Sequence, residues 1–228
     1  MDLPSGPDPN FPYLGEHERY FFPDPLKTDG TIIAAGGNLS PGMLLSAYEQ
    51  GIFPWFNPGD PVLWQSPDPR YVIFPENLHI SHSMEKIFKR GTYKISFDLS
   101  FAEVISACGE IYRPGQGGTW ITDDIISAYT ELYNLGYAHS AEAYTDGMLA
   151  GGCYGILLGK AFFGESMFAK KPNASKAAFL TLARHLFANG IVFIDCQVPS
   201  AHLCSLGGQE ISRMDFLHLL KKTLFAET

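Results

Sequence analysis

Residues 162–168 read Phe-Phe-Gly-Glu-Ser-Met-Phe, and residues 194–197, one helical segment later, read Ile-Asp-Cys-Gln. Both stretches belong to apolar runs that predict buried strands, and a helix is predicted between them over residues 175–188. A strand, a helix and a strand in this order are typical of an α/β domain. Glu165 lies inside the first run and Asp195 ends the second, so we expect both carboxylates to leave the sheet at its rim, beside one apolar hollow. Acids in such positions suit chemistry better than stability.

Helical and strand-like segments alternate on both sides of this unit, as judged from apolar periodicity and from glycines that follow helices. Further helices are predicted over residues 81–90, 100–108, 123–135 and 213–224. Strands are predicted over residues 71–74, 93–97, 138–144, 149–158, 160–168 and 191–195. The pattern predicts an α/β (α+β) fold with a mixed sheet.

Residues 1–70 have a different character. Residues 1–30 are rich in Pro, Gly and Asp, which predicts an extended segment draped on a surface. A Ser-Pro pair at residues 40–41 begins a helix that ends at Gly51. The stretch after this helix is dense in proline and aromatic rings and is predicted to be stiff and irregular. We therefore predict a small N-terminal domain over residues 1–70 and a second domain over residues 71–228.

Composition limits the classes of protein to consider. The chain has 228 residues, enough for a sizeable core, and a formal net charge of −8. Its four cysteines form no C-x-x-C pair, which favours reduced thiols in the cytoplasm over a disulfide scaffold. The histidines lack partners at zinc-binding spacing, so no metal site is expected. With no basic, apolar leader and no run of about 18 apolar residues, we expect a soluble cytoplasmic protein without a membrane partner. We also expect a monomer.

The charge is unevenly distributed. Residues 1–69 hold nine acids and two bases, whereas residues 70–228 hold fifteen acids and fourteen bases. Within the second part, Lys86, Lys89 and Arg90 form a basic run to which an anionic ligand such as nucleic acid would dock. The alternative is that these side chains form only the solvated face of a helix.

Seven short motifs follow one another along the chain. They are Gly-Gly-Asn-Leu-Ser-Pro (36–41), Gly-Ile-Phe-Pro-Trp-Phe (51–56), Leu-Trp-Gln-Ser-Pro-Asp-Pro-Arg (63–70), Thr-Trp-Ile (119–121), Gly-Glu-Ser-Met-Phe (164–168), Ala-Ser-Lys (174–176) and Asp-Cys-Gln (195–197). In these motifs, and in order over residues 30–220, the chain resembles the leucyl/phenylalanyl-tRNA–protein transferases. One tripeptide would be a weak signal, but seven ordered blocks make coincidence implausible.

The resemblance implies a small N-terminal domain followed by a GNAT-like α/β domain. It also implies transfer of Leu or Phe, and less well Met, from aminoacyl-tRNA to the N-terminal Arg or Lys of an acceptor protein or peptide. The transfer forms a peptide bond and marks the acceptor for degradation. No ATP, metal or coenzyme A is used in the family, because the aminoacyl ester already carries the activation.

The resemblance places catalytic roles on Asp195, Gln197 and Glu165. The attacking α-amine is partly neutral at cytoplasmic pH, so help is needed after attack, when Asp195 accepts or relays the proton. Gln197 is expected to face the same side of an extended segment and to orient the amine. A turn cap is the alternative for Asp195. Three roles are open for Glu165: it binds the acceptor's cationic side chain, it positions the amine, or it forms a buried ion pair with a nearby base. Glu142 is a weaker acceptor-site candidate.

A Leu or Phe side chain requires an apolar pocket. The family's pocket maps here onto Cys153, Phe162, Met167, Phe179, Leu182, Leu186 and Ile194. The flexible thioether of Met167 suits branched and aromatic ligands alike. Ordinary core is the alternative for the helical stripe of Phe179, Leu182 and Leu186.

Two tryptophans and the basic run complete the predicted site. Trp55 and Trp120 are candidates for stacking on the terminal adenosine of tRNA, with domain-interface core as the alternative. Residues 86–90 correspond to a basic cluster that contacts the tRNA acceptor stem in the family. The chain departs from the family pattern at Gln65 and Tyr144, where Trp is common, at Cys153, which replaces a larger residue, and in the lengthened segment 112–118.

Two other functions compete with this one. An acyltransferase that uses acyl-coenzyme A would share the fold but needs an R/Q-x-x-G-x-G/A loop for pyrophosphate, and residues 170–176 read Lys-Lys-Pro-Asn-Ala-Ser-Lys instead. A noncatalytic tRNA-binding protein is the second rival. Its weakness is that the basic runs are modest and that acids lie where a pure binder would avoid them.

Overall fold

The computed structural model describes residues 6–111 and 119–224. The α-helices in these ranges are α1 Pro41–Glu49, α2 His82–Arg90, α3 Phe101–Glu110, α4 Asp123–Asn134, α5 Ala174–Ala188, α6 Ala201–Cys204 and α7 Arg213–Leu224. The strands are β1 Ile32–Ala35, β2 Phe53–Pro54, β3 Leu63–Gln65, β4 Arg70–Ile73, β5 Lys94–Phe97, β6 Ala138–Thr145, β7 Met148–Leu158, β8 Ala161–Ala169, β9 Phe193–Asp195 and β10 Gln209–Ile211. Short 3₁₀ turns cover Pro25–Lys27 and Pro75–Asn77.

The larger sheet of the described chain has the strand order β10-β4-β9-β8-β7-β6-β5. Strands β8 and β9 are parallel, and their neighbours pair in antiparallel fashion. A parallel pair needs a crossover connection, which α5 supplies between β8 and β9. The predicted α/β class with a mixed sheet is confirmed.

Both faces of the larger sheet are covered by helices. Alternate residues of β7 point to opposite faces, as strand geometry requires. Tyr154 and Ile156 belong to a core cluster with residues of α1, α3 and α4, whereas Cys153 belongs to a second cluster with residues of α5. Helix α2 packs against α5 on this second face.

A second sheet lies in the N-terminal part, where the three strands have the order β1-β3-β2. The prediction that the stretch after α1 is irregular is therefore wrong. Its strands hold two to four residues, too few to show a period of two, and prolines lie within or beside them. The Trp64 indole anchors the sheet by donating to the Gly36 carbonyl at 2.9 Å.

One hydrophobic cluster extends across the predicted domain boundary. It includes Trp64 and Tyr48 from the N-terminal part together with Phe163 and Phe216 from the remainder. Arg213, at the start of α7, adds polar ties, since its Nη1 donates to the carbonyls of two N-terminal residues at 2.8 and 2.9 Å. The division at residue 70 stays a prediction, and the two parts are packed as one body around this cluster.

The longer predicted elements are confirmed with small shifts at their ends. Helix α1, for example, begins after Ser40, whose hydroxyl accepts from the Leu14 N–H instead of capping its own helix. The sequence missed β10 and α6, which hold three and four residues. Over the described residues, no helix combines the length and the apolar character needed to cross a bilayer.

Candidate active site

A cavity of about 550 Å³ opens along β8 and the segment that follows β9. Most of its lining is apolar or aromatic. The predicted substrate-binding residues on its wall are Trp55, Trp120, Cys153, Phe162, Met167 and Phe179, and the predicted catalytic residues on it are Glu165 and Gln197. Leu182, Leu186 and Ile194 do not line the cavity. They are buried in the core cluster around α5, which was the alternative for the helical stripe.

Glu165 owes its position to a bulge in β8. Gly164 and Ser166 pair with two consecutive residues of β7, so Glu165 between them is an extra residue without a partner opposite. A bulge interrupts the alternation of a strand and re-aims the side chain. Gly155 on β7 makes room for it, because a Cβ there would lie 2.2 Å from a carbonyl oxygen of β8. The bulge explains how an acid in an apolar strand reaches the cavity.

The Glu165 carboxyl has neutral partners. Its Oε2 accepts from the Tyr129 hydroxyl at 3.3 Å, and its Oε1 accepts from the Gln197 side-chain amide at 3.2 Å. Among the described residues, no Lys, Arg or His lies within ion-pair distance of it. Burial raises the pKa of Glu165 to about 8, and the negative charge of Asp195 adds to the rise. Glu165 therefore exchanges its proton near neutral pH, and the ion-pair interpretation of this residue is wrong.

Asp195 is held in the opposite way. It is fully buried, and Arg70, also fully buried, donates to both of its oxygens, at 2.9 Å from Nε and 2.6 Å from Nη2. The guanidinium also donates to the Gly51 carbonyl at 3.1 Å and lies 4.9 and 4.3 Å from the ring centroids of Phe53 and Phe216. The expectation that Asp195 leaves the sheet beside the hollow is wrong, because a bidentate cation holds it inside the protein.

Gln197 connects these two carboxylates. Its N–H donates to Asp195 Oδ1 at 2.9 Å, and its carbonyl accepts from the Tyr71 N–H at 3.1 Å. Its φ of +58° is left-handed, so the expected extended segment is wrong. This backbone turns the Gln197 side chain away from Asp195 and into the cavity. With its amide N–H₂ on Glu165, the side chain presents Oε1 as an acceptor.

The predicted tRNA-binding residues are accessible. Trp55 is 37% exposed, Trp120 is half-buried, and both line the cavity. Lys86, Lys89 and Arg90 are exposed on α2. Their contacts with tRNA stay predictions.

Glu142 does not reach the cavity. It is fully buried rather than exposed, and it accepts from the hydroxyls of Ser96 and Ser140 at 2.9 and 2.6 Å and from the Ser100 N–H at 3.4 Å. These donors satisfy the carboxyl within the fold, which makes Glu142 part of the sheet's structure.

The departures from the family pattern have separate consequences. The Gln65 amide donates to the Trp55 carbonyl at 2.6 Å, next to the cavity. The Tyr144 hydroxyl donates to Ser100 Oγ at 3.0 Å, within the fold. Cys153 lines the cavity, and burial raises the pKa of its thiol. The segment 112–118 lies outside the described residues.

Sequence reasoning gave no role to Arg70, Tyr48 or Tyr129. Arg70 ends one of the seven motifs, and a lone arginine that begins an apolar strand is a usable signal for a buried pair. The tyrosines are fully buried on α1 and α4, and their hydroxyls hydrogen-bond to each other. Buried aromatic residues on helices give no sequence signal beyond core. Among the described residues, no group of three His, Cys, Asp or Glu side chains has the arrangement to hold a metal ion.

The family models and the relatives found by sequence agree on one family. A model described as leucyl/phenylalanyl-tRNA protein transferase matches residues 72–221, and one described as its N-terminal domain matches residues 37–68. Proteins called leucyl/phenylalanyl-tRNA–protein transferase are 47% identical in Myxococcus xanthus, over 92% of this chain and 91% of that protein, and 53% identical in Syntrophotalea carbinolica, over 84% of each. Solved structures that match include a GCN5-related N-acetyltransferase from Kribbella flavida, at 10% identity and a TM-score of 0.42 over 76% of this chain and 62% of that one.

Proposed function

Because the chain belongs to the leucyl/phenylalanyl-tRNA–protein transferase family, a family of aminoacyltransferases, we propose that it moves Leu or Phe, and less well Met, from aminoacyl-tRNA to the N-terminal Arg or Lys of acceptor proteins. The transferred residue marks the acceptor for degradation. One observation carries this proposal: a single apolar cavity has a proton-labile carboxyl, Glu165, and an amide, Gln197, in the same wall.

The reaction is aminolysis of an ester. The α-amine of the acceptor attacks the ester carbonyl carbon, a carbon–nitrogen bond forms, and the bond from that carbon to the ribose oxygen then breaks. The nitrogen must lose a proton, and the ribose oxygen must gain one. A group that takes the first proton and delivers the second completes the reaction without any other reactant.

Glu165 suits this proton transfer. An N-terminal amine has a pKa of about 7.7 to 8.0, and the pKa of Glu165 is raised to about 8. Because the two proton affinities are matched, part of the bound amine is neutral and part of Glu165 is ionised near neutral pH. The neutral amine attacks, the nitrogen of the tetrahedral adduct then gives one proton to the Glu165 carboxylate, and Glu165 delivers this proton to the ribose oxygen as the ester bond breaks.

Gln197 orients the amine, and Asp195 acts through Gln197. The Oε1 atom of Gln197 accepts a hydrogen bond from the amine and directs its lone pair at the ester. Asp195 is a positioning residue in this proposal, because it is fully buried and bonded to the Gln197 N–H and to Arg70. Its carboxylate holds Gln197 in the left-handed conformation that aims the amide into the cavity.

The apolar part of the cavity receives the side chain of the transferred residue. Phe162, Met167 and Phe179 give it apolar walls, and Cys153 contributes less volume than a leucine would. This lining favours Leu, Phe and Met over polar residues. Fit distinguishes one methylene by about 1–3 kcal/mol, so Val and Ile are rejected incompletely.

The tRNA is bound by stacking and by charge. Trp55 and Trp120 stack on the terminal adenosine, where a base–aromatic contact contributes about 1–3 kcal/mol. Lys86, Lys89 and Arg90 neutralise phosphates of the acceptor stem, so binding weakens with added salt. These residues leave the reacting groups free for chemistry.

The direct test uses purified protein, radiolabelled Leu-, Phe-, Met- and Val-tRNA, and peptides that differ only in an N-terminal Arg, Lys or Ala, with no ATP present. The expected result is label on the Arg and Lys peptides from the Leu, Phe and, more slowly, Met donors. Binding of charged tRNA without transfer to any peptide would overturn the proposal in favour of a noncatalytic binder. Acetyl-coenzyme A serves as a parallel donor, and transfer from it alone would favour the acyltransferase alternative.

A further inference from the structure

The tyrosine pair Tyr48–Tyr129 lies directly behind Glu165. Both side chains are fully buried, and their hydroxyls are hydrogen-bonded to each other. Tyr129 also donates to Glu165 Oε2 at 3.3 Å. Tyr48 is also within hydrogen-bonding reach of Glu165. The two hydroxyls thus form a connected chain that ends on the carboxyl.

The fold holds this chain rigidly. The ring of Tyr48 packs against Phe163 with centroids 5.1 Å apart, and the ring of Tyr129 packs edge-on against Tyr154 at 5.8 Å. Phe163 and Tyr154 belong to β8 and β7, the strands that form the bulge at Glu165. Tyr48 comes from α1 and Tyr129 from α4, so helices distant in sequence converge on one carboxyl.

We propose that Tyr48 and Tyr129 are positioning residues for Glu165, fixing its carboxyl toward the cavity and favouring its ionised form. This inference rests on the proposed function, since it assigns Glu165 the proton of the attacking amine. Donors that bond to an ionised carboxylate stabilise that form against burial, and a chain of hydroxyls polarises in the same direction.

The electrostatic surroundings are consistent with this role. Hydrogen bonds from Tyr48 and Tyr129 lower the pKa of Glu165, as does the charge of Arg70, while burial and Asp195 raise it. Burial raises the pKa of both tyrosines well above the ordinary value, and the charge of Glu165 adds to the rise. The hydroxyls therefore keep their protons wherever the enzyme works and remain donors. Without them, a larger fraction of Glu165 would be protonated near neutral pH and unable to accept a proton.

The test compares Tyr129→Phe, Tyr48→Phe and the matched control Tyr133→Phe. Tyr133 lies one turn further along α4 and donates to the Asp98 carbonyl at 2.9 Å, away from Glu165. Each variant removes one hydroxyl and keeps the ring, which preserves the packing. The pH dependence of single-turnover transfer is measured with an excess of acceptor, and the carboxyl titration of Glu165 is followed by ¹³C NMR in the free protein.

Tyr129→Phe is expected to move the midpoint of both curves to higher pH by about one pH unit, because a hydrogen bond to a charged group is lost. Transfer then falls about tenfold at low pH and recovers as pH rises. Tyr48→Phe gives a shift in the same direction, and Tyr133→Phe gives none. If Tyr129→Phe does not fold, Tyr48→Phe still tests the inference, because it removes the other hydroxyl of the pair.

The inference would be overturned if Tyr129→Phe and Tyr48→Phe both showed the same Glu165 titration curve and the same pH profile of transfer as the wild type, whatever the effect of the variants on stability. Failure of the proposed function has a different signature. In that case the wild-type protein transfers nothing, and the NMR titrations still decide whether the tyrosines set the ionisation of Glu165.

Discussion

Asp195 and Glu165 are both acids in apolar surroundings, yet the fold treats them in opposite ways. Asp195 is fully buried and shares two hydrogen bonds with the Arg70 guanidinium. Glu165 lies on the cavity wall, and its hydrogen-bond donors among the described residues, such as Tyr129 and Gln197, are neutral. A carboxylate with a bidentate cation is fixed in charge and position, whereas one without a cation is free to exchange a proton. Charge pairing therefore separates the acid that builds the site from the acid that reacts.

The largest effect is expected when the buried pair is broken. Asp195→Ala leaves the Arg70 guanidinium buried and unpaired, which should lower the free energy of unfolding by about 3–5 kcal/mol and abolish transfer. Urea denaturation followed by circular dichroism measures the loss. An unfolding midpoint equal to that of the wild type would show that the pair does not hold the structure.

A double variant separates stability from positioning. Arg70→Met combined with Asp195→Leu replaces the buried ion pair by apolar side chains, and such replacements are often neutral for stability. We expect this variant to fold but to transfer poorly, because the Gln197 N–H has lost its acceptor. Normal transfer in a folded double variant would mean that Asp195 has no part in positioning Gln197.

The next largest effect is expected at the reactive acid. Glu165→Gln keeps the size of the side chain and removes its ability to take a proton, so kcat for transfer should fall about 10²-fold. The affinity for charged tRNA, measured by filter binding, should change less than about twofold since Glu165 touches no phosphate in this account. An unchanged kcat in this variant would remove Glu165 from the proton transfer.

Glu165→Gln should impair transfer but stabilise the folded protein. Burial raises the pKa of Glu165 to about 8 in the folded protein, above its unfolded value of about 4.3. A raised folded pKa contributes stability below the unfolded pKa, and this contribution is lost as pH rises through the folded pKa. Glu165→Gln should therefore raise Tm relative to wild type by on the order of 10 °C at pH 8, and hardly at all at pH 4.

Differential scanning calorimetry at several pH values tests this difference. Glu103→Gln on the exposed surface of α3 is the matched control, and its Tm difference from wild type should be independent of pH. If the Tm difference between Glu165→Gln and wild type were as independent of pH as that of the control, burial of the Glu165 carboxylate would have no free-energy cost. The contrast with Asp195 would then disappear.

The smallest effect is expected away from both acids. Lys89→Glu on α2 should weaken the binding of aminoacyl-tRNA several-fold, seen as a higher KM with kcat unchanged, and added salt should shrink the difference. Lys221→Glu on the exposed surface of α7 is the control. A changed kcat, or an unchanged KM at low salt, would contradict the division between tRNA binding on α2 and chemistry in the cavity.

The sequence was sufficient for the fold class and for the longer elements because their periodicity is local. Helices such as α4 and strands such as β7 carry their pattern over about ten residues, which a sequence displays directly. Strands β2 and β10 are too short to show a periodic pattern, and their formation depends on the strands with which they pair.

The candidate site was predictable in part of its members and not in their arrangement. The motifs led to Glu165, Gln197 and Asp195 through resemblance. Nothing local revealed that Arg70, 125 residues from Asp195 in sequence, would neutralise it. Nor did the sequence show the bulge that aims Glu165, because a bulge is a property of two paired strands.

The contrast between the two acids is tested most directly by the titration of Glu165 in the wild-type protein. Glutamate labelled with ¹³C at the carboxyl carbon is followed by NMR across the pH range, and the Glu165 signal is assigned by its absence in Glu165→Gln. A midpoint near 8 is expected. A midpoint between about 4 and 5, the range of an unperturbed glutamate, would show that burial does not perturb Glu165 and would contradict its role as the proton acceptor.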